Sequence, residues 1–254
     1  KHSTKGRVSE FDINTYSKDS ILVTGVEEMN RIIDEKKIRY AFQSIISVSN
    51  GKVYGYEALM RPQSDMFRSP LEFIRIARTG AKLYDIERLT WILALKQFGE
   101  LMEKEIITGK EKIFINSLLN CQIKDDDIEI IESENKGYLS NIVLEFLESE
   151  RSNDEFTNGK QELIRKWHAM TAVDDFGSGY NSEYALITYN PDIVKIDRAI
   201  VCCCDSDVSR KNIISNLVML AKDKNVLVLA EGVETYNEMK TVIECGVDLI
   251  QGFY

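Results

Sequence analysis

Histidine is almost missing from this chain of 254 residues: His2 and His168 are the only two, which excludes a hydrolase built around histidine-held zinc. Proline is nearly as scarce, with three residues, and the balance of 44% hydrophobic and 29% charged residues is that of an ordinary folded domain. No apolar run approaches the ~20 residues that span a bilayer. The polar stretch Lys1 to Tyr16 lacks the apolar core of a signal peptide. A cytoplasmic domain is therefore expected, one that a longer membrane-attached protein could carry.

A basic surface is lacking too. Asp and Glu total 41 against 32 Lys and Arg, a net charge of −9, whereas nonspecific binding of a nucleic-acid polymer needs the opposite sign. A small anionic ligand stays compatible with this balance, because carboxylates that converge on divalent cations make a site locally positive. The five cysteines are Cys121, Cys202, Cys203, Cys204 and Cys245, and their spacing gives neither a disulfide framework nor a zinc signature. They are expected to be reduced thiols, the adjacent three being bystanders in a loop.

What is present is alternation. Residues 1–25 have no sustained period and read as a linker or leader, with the folded domain over 26–254. Val26, Met29, Ile32 and Ile33 recur at helical spacing in a helix ending near Lys37. Strands are predicted over Tyr40–Val48 and Val53–Met60, and Asn50-Gly51 between them signals a hairpin. Helices at Pro70–Ala77 and Tyr84–Glu103 then lead to a strand at Lys112–Asn116. Helix Ile123–Ser133 leads to strand Asn141–Phe146, and helix Asn158–Trp167 to strand Thr171–Asp175. A short helix near Ser182–Leu186 precedes strand Ile193–Ile196, helix Ser209–Asp223 precedes Val226–Ala230, and helix Tyr236–Glu244 precedes Asp248–Gln251. Such alternation predicts an α/β fold, a modified TIM (β/α)8 barrel that begins with a hairpin-like strand pair. An open doubly wound sheet is the competing architecture, but its Gly-x-Gly-x-x-Gly turn is missing.

Polar residues gather at the C-terminal ends of these strands: Glu57, Asn116, Glu145, Asp174 with Asp175, Lys195, Glu231 and Gln251. One acid at a strand end is most simply a helix cap. The repetition points instead to a shared rim, where barrel enzymes carry their catalytic groups. Carboxylates packed together repel unless cations neutralise them. The oxygen-rich set Glu57, Asn116, Glu145, Asp174 and Asp175 suits Mg²⁺ or Mn²⁺, and adjacent aspartates can serve two ions, an arrangement common in phosphoryl chemistry.

Tyr56-Glu57-Ala58-Leu59-Met60-Arg61 resembles the Glu-Ala-Leu signature of the EAL phosphodiesterases. In family order follow Asn116, Glu145-Phe146-Leu147-Glu148, Asp174-Asp175-Phe176-Gly177-Ser178-Gly179-Tyr180, Lys195-Ile196-Asp197, Ala230-Glu231-Gly232-Val233-Glu234-Thr235 and Gln251-Gly252-Phe253. The resemblance covers roughly Met29 to Tyr254 and implies hydrolysis of cyclic di-GMP to linear pGpG by a water activated by two divalent ions, Mg²⁺ or Mn²⁺. It implies that Glu57, Asn116, Glu145 and Asp174 hold one ion, and that Asp174, Asp175 and Glu231 serve the second. Lys195 would hydrogen-bond the attacking water, as a static cation in preference to a base. Glu57 and Glu231 would share in catalysis. Gln43 matches the family's guanine-contacting glutamine and Arg61 its phosphate-binding arginine, whose forked donors suit that anion.

By the same resemblance Gln251 is a hydrogen-bonding residue beside the metals, Glu148 anchors the loop Phe176–Ser182, and Glu234 supports Lys195. A homodimer and an upstream sensory or signalling domain are the partners implied. Several positions depart from the family pattern. Ser44 replaces the usual proline, Ser178 the commoner threonine, Asn181-Ser182-Glu183 is more polar than usual, and Pro62–Ser69 lacks a His-Pro stretch. These bear on dimer geometry and regulation more than on catalysis. The competing functional reading is a catalytically silent EAL module that binds cyclic di-GMP or a protein partner. Trp91 and Trp167 are expected in the core, and Asp125-Asp126-Asp127 to be solvated at a helix start.

Overall fold

Short strands dense in Val, Ile and Leu close into a barrel in the computed structural model, whose described residues are 13–67, 69–118, 121–147, 154–177, 186–187 and 189–254. They are β1 (Ile38–Ser47), β2 (Val53–Pro62), β3 (Lys112–Asn116), β4 (Ile142–Leu147), β5 (Met170–Phe176), β6 (Ile193–Ile196), β7 (Leu227–Val233) and β8 (Leu249–Gly252). Each pairs with the next in sequence, and β8 pairs with β1 to complete the ring. From β2 to β8 the pairing is parallel, while β1 runs antiparallel to both of its neighbours. The reversal follows from the tight Asn50-Gly51 turn, which allows no crossover helix between β1 and β2.

Helices cover the outside: α1 (Ile13–Asp34), α2 (Pro70–Thr79), α3 (Leu83–Glu103), α4 (Asp125–Glu134), α5 (Asp154–Trp167), α6 (Arg198–Val201), α7 (Val208–Lys222) and α8 (Tyr236–Cys245). Their starts are written in the sequence. Ser69 caps α2 ahead of Pro70, and Thr235 and Glu238 form a capping box at the start of α8. Trp91 and Trp167 are buried as expected, edge to face with ring centroids 5.8 Å apart. Among the described residues no helix is long and apolar enough to cross a membrane.

The barrel is filled, not hollow. Ile45, Phe114, Val143, Ala172, Ile193, Leu229 and Leu249 point inward and form a dry plug. Gly55 occupies the matching place on β2. A Cβ there would lie 3.0 Å from the Phe114 ring and 2.6 Å from the Lys112 carbonyl oxygen, so only glycine lets the ring fill the interior.

Two expectations need correction. α1 begins at Ile13 and not at Val26, and it runs through Gly25. That glycine is no helix stop, since a Cβ on it would lie 2.6 Å from Ile76 Cδ1, so it lets α1 and α2 approach. Asp127 is not solvated: it is buried and accepts hydrogen bonds from Arg88 Nε at 2.6 Å and the Tyr84 hydroxyl at 2.8 Å, which join α4 to α3. The short helix expected near Ser182–Leu186 lies outside the described residues except for Leu186.

Candidate active site

The alternation of strand side chains places the polar residues directly above the apolar plug. Two residues beyond a plug position the same face recurs, one step nearer the barrel mouth. Phe114 is thus followed by Asn116, Val143 by Glu145, Ala172 by Asp174, Ile193 by Lys195, Leu229 by Glu231 and Leu249 by Gln251. Glu57 stands two residues after Gly55. On the reversed strand β1 the order inverts, and Gln43 lies two residues before Ile45, directly across from Glu57 in the strand pair. One layer closes the barrel and the next carries chemistry.

Lys195 is the hub of that second layer. Its ammonium is fully buried, 2.6 Å from Glu145 Oε1, 2.7 Å from Glu231 Oε1, 3.1 Å from Asp174 Oδ1 and 3.7 Å from Glu57 Oε2. The two shortest of these contacts, to Glu145 and Glu231, are charge-assisted hydrogen bonds from the ammonium. Gln251 Nε2 donates to Glu57 Oε2 at 2.7 Å, and Asn116 Nδ2 lies 3.4 Å from Glu57 and 3.3 Å from Glu145.

One ammonium among so many carboxylates leaves the cluster short of positive charge. Burial pushes the Glu145 carboxyl well above its usual range, and Glu57 and Asp174 add to the shift against the pull of Lys195. Burial likewise raises Glu231 to about 7. For Lys195 burial acts to lower the pKa, but Glu145, Glu57, Glu231 and Asp174 override it and hold the ammonium well above the ordinary lysine value. Lys195 is thereby a permanent cation when only protein surrounds it.

Asp174 and Asp175 are neighbours in sequence, and in a regular strand their carboxylates would point to opposite faces. Here the β5–β6 register shifts between Val173 and Phe176, and Asp175 takes a left-handed φ of 56°. A left-handed aspartate stores strain of the kind found at functional sites. The Asp175 backbone N–H donates to Asp174 Oδ1 at 3.0 Å. Burial raises Asp175 to about 6, reinforced by the Asp174 charge and a hydrogen bond with Asp197.

The remaining site candidates are placed less centrally. Arg61 is exposed on the rim, on the same face of β2 as Glu57, and Nη1 donates to the Met60 carbonyl at 2.8 Å. Glu234 does not reach Lys195. It follows the end of β7 and pairs at the surface with Arg198, 2.8 Å away. Glu148 and Ser178 to Ser182 of the glycine-rich loop lie outside the described residues.

Sequence reading missed a second polar group that supports the first. Glu87 of α3 and Lys160 of α5 are both buried, with Lys160 Nζ 2.7 Å from Glu87 Oε1. Lys160 also donates to Ser117 Oγ at 2.7 Å and the Leu118 carbonyl at 2.5 Å, and Glu87 Oε2 accepts from the Leu118 N–H at 3.0 Å. These bonds pin the chain just after Asn116. The signal was there: Glu87 interrupts the apolar stripe of Ile86, Trp91, Ala94 and Leu95, and Lys160 stands one and two turns before Ile164 and Trp167. Charges on a buried face are rarely unpaired.

The donor set fits hard dications. It is built of carboxylate oxygens with one amide, Gln251 Oε1 is buried without a hydrogen-bonding partner, and the raised carboxyls mark a deficit of positive charge. An amide flip at Asn116 would replace two long contacts by an oxygen facing the same centre.

A family model described as EAL domain matches residues 26–254. Over 227 residues the chain is 29% identical to the probable cyclic di-GMP phosphodiesterase PdeB of Escherichia coli (strain K12), an alignment covering 87% of this chain and 42% of that protein. The chain spans less than half the length of several curated relatives it matches. It is similar to the c-di-GMP bound form of a standalone versatile EAL protein from Vibrio cholerae O395, at 28% identity and a TM-score of 0.69, covering 85% of this chain and 90% of that one. It is also similar to the manganese/cy-diGMP complex of Klebsiella pneumoniae BlrP1 at pH 9.0, with 25% identity, a TM-score of 0.73 and coverage of 85% and 55%.

Proposed function

The chain belongs to the EAL domain family, and from that premise we propose that it hydrolyses cyclic di-GMP to linear pGpG with the aid of two divalent cations. The observation that carries this reading is the convergence of Glu57, Glu145, Asp174 and Glu231 on the buried Lys195, with Asn116 and Asp175 beside them. A module that only bound the nucleotide would not need so costly a concentration of like charge.

Glu57, Asn116, Glu145, Asp174, Asp175 and Glu231 would hold the Mg²⁺ or Mn²⁺ ions, which when bound supply Lewis acidity toward the phosphoryl group and a water of lowered pKa. Lys195 stabilises the negative charge that grows on the phosphoryl oxygens and orients the attacking water. Its ammonium lies within 3.1 Å of Glu145, Glu231 and Asp174 and serves in this reading as a fixed cation in preference to a base. Glu231, 2.7 Å from the Lys195 ammonium, would share in catalysis by holding the second ion and orienting the water beside it. Gln251 fixes the Glu57 carboxylate. Gln43 and Arg61, both facing the rim from the first strand pair, receive a guanine base and a phosphate. The same reading makes residues 26–254 a phosphodiesterase domain that works in the cytoplasm as a homodimer.

The test is turnover of cyclic di-GMP with Mg²⁺ or Mn²⁺, the product identified by mass spectrometry. Accumulation of pGpG that disappears in Glu57→Ala is the expected result. Tight binding of cyclic di-GMP without turnover in either metal would put the silent module in its place.

A further inference from the structure

The adjacent cysteines fall just beyond α6, and the backbone there is unusual. Cys202 has φ −55° and ψ 126°, and Cys203 follows with a left-handed φ of 61°. Successive side chains normally diverge; this turn brings the two Sγ atoms to 3.6 Å. The conformation is held from several sides. The Cys203 N–H donates to Glu238 Oε1 at 2.8 Å, the Cys202 carbonyl accepts from Arg210 Nη1 at 2.9 Å, and the Cys203 carbonyl accepts from Ser206 Oγ at 3.2 Å. Arg210 Nη1 also reaches the Ala199 carbonyl. Cys204 is turned away into the core, so the cluster is a pair of thiols with a carboxylate brought to it by α8.

We propose that Cys202, Cys203 and Glu238 form a binding site for a thiophilic divalent cation of the zinc class. The two sulfur atoms and a Glu238 oxygen lie within 4.8 Å of one another. Two thiolates on a tetrahedral zinc at ~2.3 Å are about 3.8 Å apart, close to the spacing already present, whereas a disulfide needs about 2.05 Å. Glu238 is fixed in place: Oε2 accepts the N–H groups of Glu234 and Thr235, while Oε1 accepts that of Cys203 and keeps a second lone pair. Cys203 is exposed, which gives the cation its way in and leaves room for a water as fourth ligand. Binding releases the two thiol protons to solvent. The bound cation ties the segment after β6 to α8, and this site is separate from the oxygen-lined barrel mouth.

Cobalt(II) is the probe. Titrated into the reduced full chain, it should give a near-ultraviolet sulfur-to-cobalt charge-transfer band that saturates at one equivalent for this site and is bleached by Zn²⁺. The all-oxygen donor set of the barrel mouth produces no such band. Cys203→Ser, a change at an exposed position, should abolish the band, and Glu238→Gln should keep it while weakening affinity about tenfold or more. No band in excess cobalt, or a band unchanged in Cys203→Ser, overturns the proposal. So does oxidation of the pair to an adjacent-residue disulfide, seen as a loss of two hydrogens by mass spectrometry, in place of cation binding.

Discussion

Lys195 Nζ and Glu145 Oε1 stand 2.6 Å apart at the centre of the barrel, both closed off from solvent, and the ammonium is shared with Glu231, Asp174 and Glu57. A single lysine thus does for the free protein part of what cations would do for it. Removing it separates two roles. Lys195→Met should lower kcat far more than it weakens nucleotide binding, because the charge it answers grows in the transition state. It should also destabilise the metal-free protein by about 3–5 kcal/mol, with Mn²⁺ restoring part of the loss. Denaturant unfolding with and without metal, beside steady-state kinetics, reads both effects. Arg61→Ala, in contrast, should weaken binding and turnover together.

Metal removal gives the second expectation. Chelation should abolish hydrolysis and Mg²⁺ or Mn²⁺ should restore it, whereas Ca²⁺ should occupy the site without supporting turnover, since its longer and looser bonds misplace the reacting groups. Asp174→Ala and Glu57→Ala should be inactive in every metal while keeping the barrel's circular dichroism. Near-native turnover in either would refute the ligand assignment.

The raised carboxyls make the metal-free protein respond to pH in a direction opposite to that of an ordinary salt bridge. Asp175 at about 6 and Glu231 at about 7 bind protons more tightly when folded than when unfolded. Their contribution to stability is complete below the unfolded carboxylate range, near pH 4, and is lost as pH rises through about 6 and about 7. Metal binding has the reverse dependence, because it needs those groups ionised. Thermal unfolding in chelator should therefore weaken across this window, while calorimetric Mn²⁺ affinity strengthens and the protons released on binding decline.

The pair Glu87 and Lys160 provides a test of support at a distance from the rim. Glu87→Ala or Lys160→Ala leaves one buried charge alone and should cost about 3–5 kcal/mol in denaturant unfolding. Replacing both by methionine should recover most of that stability. The double variant should still lose metal affinity, because Ser117 and Leu118 no longer hold the end of β3 beneath Asn116. Unchanged Mn²⁺ affinity in the double variant would reduce the pair to a core filler.

Much of this architecture is legible in the sequence because a strand repeats every two residues. Val143 before Glu145, Ile193 before Lys195 and Leu229 before Glu231 each spell an inward apolar residue followed by an inward polar one. The Asn50-Gly51 turn likewise announces the hairpin and, with it, the reversed β1. What stays hidden depends on contacts between elements far apart in the chain. The family resemblance places Glu234 in support of Lys195, yet only the three-dimensional course of β7 shows that it meets Arg198. Asp127 looks like one of three solvated acids until α3 supplies Arg88 and Tyr84. The convergence of Cys202 and Cys203 depends on one positive φ, which composition and period do not encode.

Because β1 runs against the other strands, its first residues and not its last belong to the open end: Ile38 pairs with Pro62, and the Lys37 carbonyl accepts from the Gln63 N–H. The helix α1 consequently joins the barrel beside the rim that holds Gln43 and Arg61, while the Asn50-Gly51 turn sits at the sealed pole. The two poles are therefore unequal places to make a connection. Residues added at the turn would lie on the far side of the apolar plug from the catalytic layer, whereas a rotation or pull applied through α1 acts on the strand that carries Gln43 opposite Glu57.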